Sequence, residues 1–108
     1  MDTFTALSDP TRRRILESLR DRGALSVTEV AAPLDMTRQG ATKHLDILAE
    51  CGLITVRWEG RHRLHELDPM PLVEVQDWLA PYAAEWERRL GRLKEHLDQP
   101  ETGKAENP

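Results

Sequence analysis

The residues with most to offer chemically lie between Met36 and His65. Arg38, Gln39, Thr42 and Lys43 stand close together in one short stretch. Arginine and lysine donate to guanine O6 and N7, glutamine pairs in two-pronged fashion with adenine, and threonine serves either role. A second cationic group, Arg57, Arg61, His62 and Arg63, surrounds Gly60. These are donors for base edges and phosphates. No Ser-His-Asp set, paired-carboxylate pocket or phosphate-cradling glycine loop can be picked out, so the pattern argues against an enzyme. Cys51 is the single cysteine, which excludes an intrachain disulfide and a thiolate metal cage. It reads as a small hydrophobe buried on a helical apolar face.

The charge distribution supports the same reading. The whole chain carries a formal net charge of −4, an unpromising total for a polyanion partner. Residues 1 to 67, however, hold ten Lys and Arg against ten Asp and Glu, whereas residues 68 to 108 hold five against nine. Within Met36 to His65 the basic residues Arg38, Lys43, Arg57, Arg61 and Arg63 outnumber Asp46, Glu50 and Glu59, with three histidines added. A local basic surface attracts phosphate whatever the total.

The elements that must position these side chains follow from capping and periodicity. Phe4 and Leu7 suggest a short helix ending at Ser8-Asp9-Pro10. From Pro10 to Arg22 the apolar residues Ile15, Leu16 and Leu19 fall at helical spacing, and Gly23 supplies a stop. Ser26 with Glu29 has the form of a capping box and opens a short helix through Ala32. Pro33 to Met36 is the turn that follows. Thr37 then caps a helix running to Cys51, with Ala41, Leu45 and Leu48 as its core stripe and Gly52 as its end. Its opposite face carries Arg38, Gln39, Thr42, Lys43 and Asp46. Gly40 costs about 1 kcal/mol relative to alanine inside a helix, which close approach to DNA would explain.

Leu53 to Trp58 is rich in strand formers, Arg63 to Leu67 alternates, and Glu59-Gly60-Arg61 forms a turn between them. Two short helices and a β-hairpin make a winged helix-turn-helix. After Asp68-Pro69 the chain is helical to about Leu97. Leu72, Leu79, Trp86 and Leu93 recur every seven residues, with Val75 and Tyr82 three after the first two, a pattern of packing against another long helix. Pro81 predicts a kink or break near Leu79. Residues 99 to 108 read as a disordered tail. No run of apolar residues approaches a membrane span, and the N-terminus lacks a signal-peptide pattern, so a cytoplasmic protein is expected.

Several of these stretches resemble one family. Pro10-Thr11-Arg12-Arg13-Arg14-Ile15-Leu16, Val27-Thr28-Glu29-Val30-Ala31, Met36-Thr37-Arg38-Gln39-Gly40-Ala41-Thr42-Lys43-His44-Leu45 and Gly52-Leu53-Ile54 are similar to the ArsR-type (ArsR/SmtB) winged-helix regulators. The resemblance covers residues 1 to 67, and the long C-terminal helix fits that family's dimerisation element. It implies a homodimeric repressor on a near-palindromic operator in double-stranded DNA. It places Thr37, Arg38, Gln39, Thr42, Lys43 and His44 at the DNA. His44 is either such a contact or a structural histidine hydrogen-bonded near the wing. The interface expected between protomers comprises Phe4, Leu72, Val75, Leu79, Tyr82, Trp86 and Leu93. The family's thiolate metal site falls at positions held here by Ser26 and Thr28, and hydroxyls are poor ligands for soft ions. A second family site needs a His two residues after Asp77, which is missing, and His96 stands alone, so neither a metal nor a cofactor is expected. Trp78, Tyr82 and Trp86 resemble the helix of non-metal members. They read as dimer packing, with a small-molecule pocket between protomers as the other reading.

The sequence therefore describes a mainly α fold with a small β-hairpin, a winged helix-turn-helix dimerised through terminal helices. Residues 1–67 form the DNA-binding domain and residues 68–98 the dimerisation helix or helices. The competing reading is a protein-interaction module on the same scaffold. A small-molecule effector, its identity unread from the residues, completes the expected partners.

Overall fold

The computed structural model describes residues 1–98, so the expected tail lies outside the described residues. The chain divides into a unit ending at Val75 and one beginning at Gln76.

In the first unit each helix starts on a side-chain cap. Helix α1 (Thr3–Leu7) begins where Asp2 accepts the Thr5 N–H at 2.7 Å. Helix α2 (Pro10–Arg22) begins where Asp9 accepts the Arg12 N–H at 2.9 Å, with proline in its first turn where no N–H is needed. It stops at Gly23, whose φ of 86° is open to glycine at little cost. Helix α3 (Val27–Ala31) carries the full capping box: Ser26 accepts the Glu29 N–H, and the Glu29 carboxylate accepts the Ser26 N–H.

The α-helical geometry was expected through Ala32 but ends at Ala31, giving way to a 3-10 turn over Ala32–Leu34. Pro33 is the cause, since it has no N–H to return to the carbonyl of Glu29 four residues back. Arg22 fills that vacancy, donating through Nη1 to the Glu29 carbonyl at 3.2 Å. Asp35, at φ 53°, closes the turn in the left-handed region. Helix α4 (Arg38–Glu50) follows, capped by the Thr37 hydroxyl, which accepts the Gly40 N–H at 3.0 Å.

The core is assembled from Ile15, Leu16 and Leu19 of α2, Val30 and Ala31 of α3, Ala41, Leu45 and Leu48 of α4, and Leu53 and Ile54 beyond it. Every one of the expected inward positions on α2 and α4 is buried. Truncating a fully buried leucine such as Leu48 to alanine in such a core costs about 2–5 kcal/mol.

Strands β1 (Ile54–Glu59) and β2 (His62–Leu67) pair antiparallel, Ile54 opposite Leu67 and Glu59 opposite His62. The connection is thus two residues, Gly60 and Arg61, rather than the expected three. Gly60 has φ 64°, the glycine-first arrangement that suits the twist of a tight hairpin. The base of the hairpin is pinned by Leu25. Its N–H and carbonyl bond the main chain of His65 at 3.0 and 2.7 Å, and the buried His65 ring places Nδ1 3.1 Å from the same carbonyl.

Helix α5 spans Leu72–Asp98 without interruption, so the break that Pro81 predicts is absent. A proline removes only its own bond to the carbonyl four residues back, and the turns on either side keep theirs. In the unit from Gln76, Trp78, Tyr82, Trp86, Leu90, Leu93 and Leu97 are all exposed apolar side chains. The Trp78 and Tyr82 rings lie tilted with centroids 5.0 Å apart. Glu85 pairs with both Arg88 and Arg89.

Candidate nucleic-acid interface

Helix α4 shows the face that its periodicity implies. Burial of Ala41, Leu45 and Leu48 turns Arg38, Gln39, Thr42 and Lys43 to the other side, where the four line one open recess of about 610 Å3. Gly40 has a local reason for its bare backbone. A Cβ there would meet the Thr37 hydroxyl oxygen at 3.2 Å, the same oxygen that receives the Gly40 N–H. The glycine thus keeps the N-cap tight. Thr42 donates its hydroxyl hydrogen to the Arg38 carbonyl at 2.8 Å. Its oxygen is left to accept from a base amino group, and its methyl is left for thymine.

His44 turns elsewhere. Its Nδ1 is 4.0 Å from the Asp9 carboxylate at the start of α2, and that nitrogen is buried without a hydrogen-bond partner among the described residues. The ring therefore sits between the reading helix and the N-terminus of α2, not beside the hairpin. Asp9 is held below the usual carboxylate range, first by the Arg12 backbone N–H and with help from the charge of Arg12 and from His44.

The hairpin has two faces with different electrostatics. Ile54, Val56 and Trp58 alternate onto one side of β1, opposite Leu67, His65 and Arg63 of β2. Arg57 is on the other side, its guanidinium 3.3 Å from Glu59 and 3.4 Å from Glu66. Its charge is already shared by two carboxylates. Arg61, at the tip, and Arg63 are exposed, and Arg38, Thr42 and Asp46 of α4 line the same cleft as Trp58, Arg61 and Arg63. The cleft holds about 560 Å3.

Residues 7–57 match the model of a helix-turn-helix domain. Over 95 residues the chain is 34% identical to the HTH-type transcriptional regulator Rv2034 of Mycobacterium tuberculosis, covering 88% of this chain and 85% of that protein. An ArsR-like transcriptional regulator from a Rhodococcus species superposes with a TM-score of 0.64 at 34% identity, covering 89% of each chain. The chain belongs to the ArsR family of winged helix-turn-helix transcriptional regulators. As an ArsR-family member it is a DNA-binding regulator of transcription and not an enzyme. A further relative, the transcriptional repressor SdpR of Bacillus subtilis, is 28% identical over 78 residues, covering 72% of this chain and 86% of SdpR. Among the described residues of this ArsR-family chain no helix is long and apolar enough to cross a membrane.

Two features, one in the interface and one away from it, go beyond what the sequence pattern predicts. Trp58 reads in sequence only as a strand former, yet it is 67% exposed on the α4 side of the hairpin. Period-two alternation from the buried Ile54 could have placed it on that side. Cys51 is half-buried rather than buried, and its thiol donates to the Met1 carbonyl at 3.1 Å, tying the first residue of the chain to the end of α4, whose C-cap bond comes from the Cys51 backbone N–H. No local pattern signals a contact across fifty residues.

Proposed function

We propose that this protein acts in the cytoplasm as a homodimeric repressor occupying a near-palindromic operator. Residues 1–67 read the DNA and residues 68–98 join the protomers. Each protomer lays α4 in the major groove, with Arg38, Gln39, Thr42 and Lys43 on base edges and adjacent phosphates and Thr37 at the backbone. Arg61, His62 and Arg63 hold the neighbouring backbone or minor groove. The observation that carries the reading is the common recess of Arg38, Gln39, Thr42 and Lys43 on the exposed face of α4.

Dimerisation is supported by the exposed apolar residues Tyr82, Trp86 and Leu93 of α5, which a single protomer leaves in water, and by Phe4, 37% exposed on α1. Val75 and Leu79 are half-buried, and Leu72 packs partly against the core of its own protomer. Repression is supported by the relationship to SdpR.

Selection from a random duplex library with the full chain tests this. The enriched sequence should be an inverted repeat with half-sites spaced at about 10 base pairs or a multiple. Affinity should fall steeply with salt. Placing that sequence over a promoter should lower transcription in vitro when the protein is added. Enrichment of no duplex over random DNA, or of an asymmetric site, overturns the reading, and increased transcription overturns its repressor part.

A further inference from the structure

The cleft between α4 and the hairpin has an exposed tryptophan in its wall, and the reading helix and the wing tip stand on either side of it. A major groove and the minor groove beside it are separated by one sugar-phosphate backbone. If α4 occupies the first and Arg61 reaches the second, that backbone must pass through this cleft. We propose that Trp58 is a DNA-contact residue that grips the backbone there, its ring face against deoxyribose and its indole N–H donated to a phosphate oxygen. The inference rests on the DNA-binding pose given above.

The surroundings suit such a strand. Arg38, Arg61 and Arg63 put three guanidinium groups around the cleft against the single carboxylate of Asp46. Arg63 is the direct cross-strand partner of Trp58, on the same face of the hairpin. Along that face of β1, exposure climbs from 2% at Ile54 to 36% at Val56 and 67% at Trp58. The hairpin thus leaves the core with its largest side chain in water, where a polar residue would serve solubility better. An indole has an apolar body and one polar tip, which matches a surface that alternates sugar and phosphate.

The neutral side chain gives the proposal a distinctive test. Trp58 releases no counterion, so its loss should weaken binding without changing the dependence of log affinity on log salt. With the duplex that the wild-type chain selects, Trp58→Ala should lower affinity about tenfold or more at fixed salt. The slope should remain that of the wild type. Trp58→Phe, which keeps a ring and loses the N–H, should show part of that loss. Trp58→Arg should recover affinity but steepen the slope by about 1. Circular dichroism melts of each variant identify any that fail to fold, and the exposed position makes the phenylalanine variant the safest reading. Trp58→Ala and Trp58→Phe both binding within about twofold of the wild type overturns the proposal. A wild-type chain that selects no duplex instead overturns the DNA-binding pose itself.

Discussion

The Arg12 guanidinium donates through Nε to the carbonyl oxygen of Ala6 at 2.8 Å, and through Nη2 to that of Thr5 at 3.2 Å. Both carbonyls belong to the last turn of α1; that of Thr5 also accepts the Ser8 N–H at 3.1 Å and the Ser8 hydroxyl at 2.6 Å, whereas that of Ala6 relies on Arg12. Arg13 reaches the next one, Leu7, at 2.7 Å. Two arginines from the first turn of α2 therefore terminate the preceding helix, and Arg12 is buried in doing so.

Replacing Arg12 with alanine removes this cap and leaves the Ala6 carbonyl unmet, while that of Thr5 keeps its bonds from Ser8. A hydrogen bond from a charged group is worth about 1.5–3 kcal/mol, so Arg12→Ala should lower stability by about that amount in urea denaturation. Arg12→Lys should recover less than half, because one ammonium cannot match the two-pronged geometry. An alanine variant as stable as the wild type would refute the capping role.

The two arginines of the hairpin should behave differently on DNA. Arg61 is unpaired among the ion pairs of the described residues, whereas Arg57 is held by Glu59 and Glu66. Arg61→Ala should weaken binding to all duplexes alike and reduce the salt slope by about 1. Arg57→Ala should change the slope by clearly less, and Glu66→Gln should strengthen binding by releasing Arg57. Equal slopes for the two alanine variants, from titrations at several salt concentrations, would contradict this division.

Acid should unfold the domain from its helix starts. Asp2, Asp9 and Glu29 are held below the usual carboxylate range, chiefly by the backbone N–H groups of Thr5, Arg12 and Ser26 respectively. A carboxyl lowered on folding stabilises fully above its unfolded pKa, about 3.9 for Asp and 4.3 for Glu, and loses that contribution as pH falls through the folded value. The urea midpoint should thus be level from neutrality to about pH 5 and fall below about pH 4. Asp9→Asn keeps an oxygen for the cap but no charge, and should give a shallower acid limb. An unchanged limb in that variant would place the acid sensitivity elsewhere.

Local rules made most of this fold legible from its residues. Asp9-Pro10, the Ser26 and Glu29 pair, Thr37 and the glycines at positions 23 and 52 mark helix ends by short-range hydrogen bonding and backbone freedom, and all fall where those rules put them. The reading face of α4 follows from the positions of Ala41, Leu45 and Leu48. What stayed hidden depends on partners distant in sequence. Arg12 and Arg13 look like solvated cations until α1 folds back beside them. His44 finds Asp9 across thirty-five positions, and His65 finds Leu25 across forty. At Pro81 the local rule allows a kink or a break, and the bonded turns on either side exclude the break.

The anchorage of the hairpin at His65 has a mechanical consequence. Main-chain bonds to Leu25 fix one end of the ribbon, while Gly60 and Arg61 at the other touch nothing comparable. Such a ribbon is a cantilever, clamped at its root and compliant at its tip, and thermal excursions grow with distance from the clamp. The Leu25 and His65 amides should be among the slow exchangers of the hairpin, and those of the tip among the fast. Lengthening the loop at Gly60 would extend the lever's reach while leaving its seat, and the registry of α4, where they are.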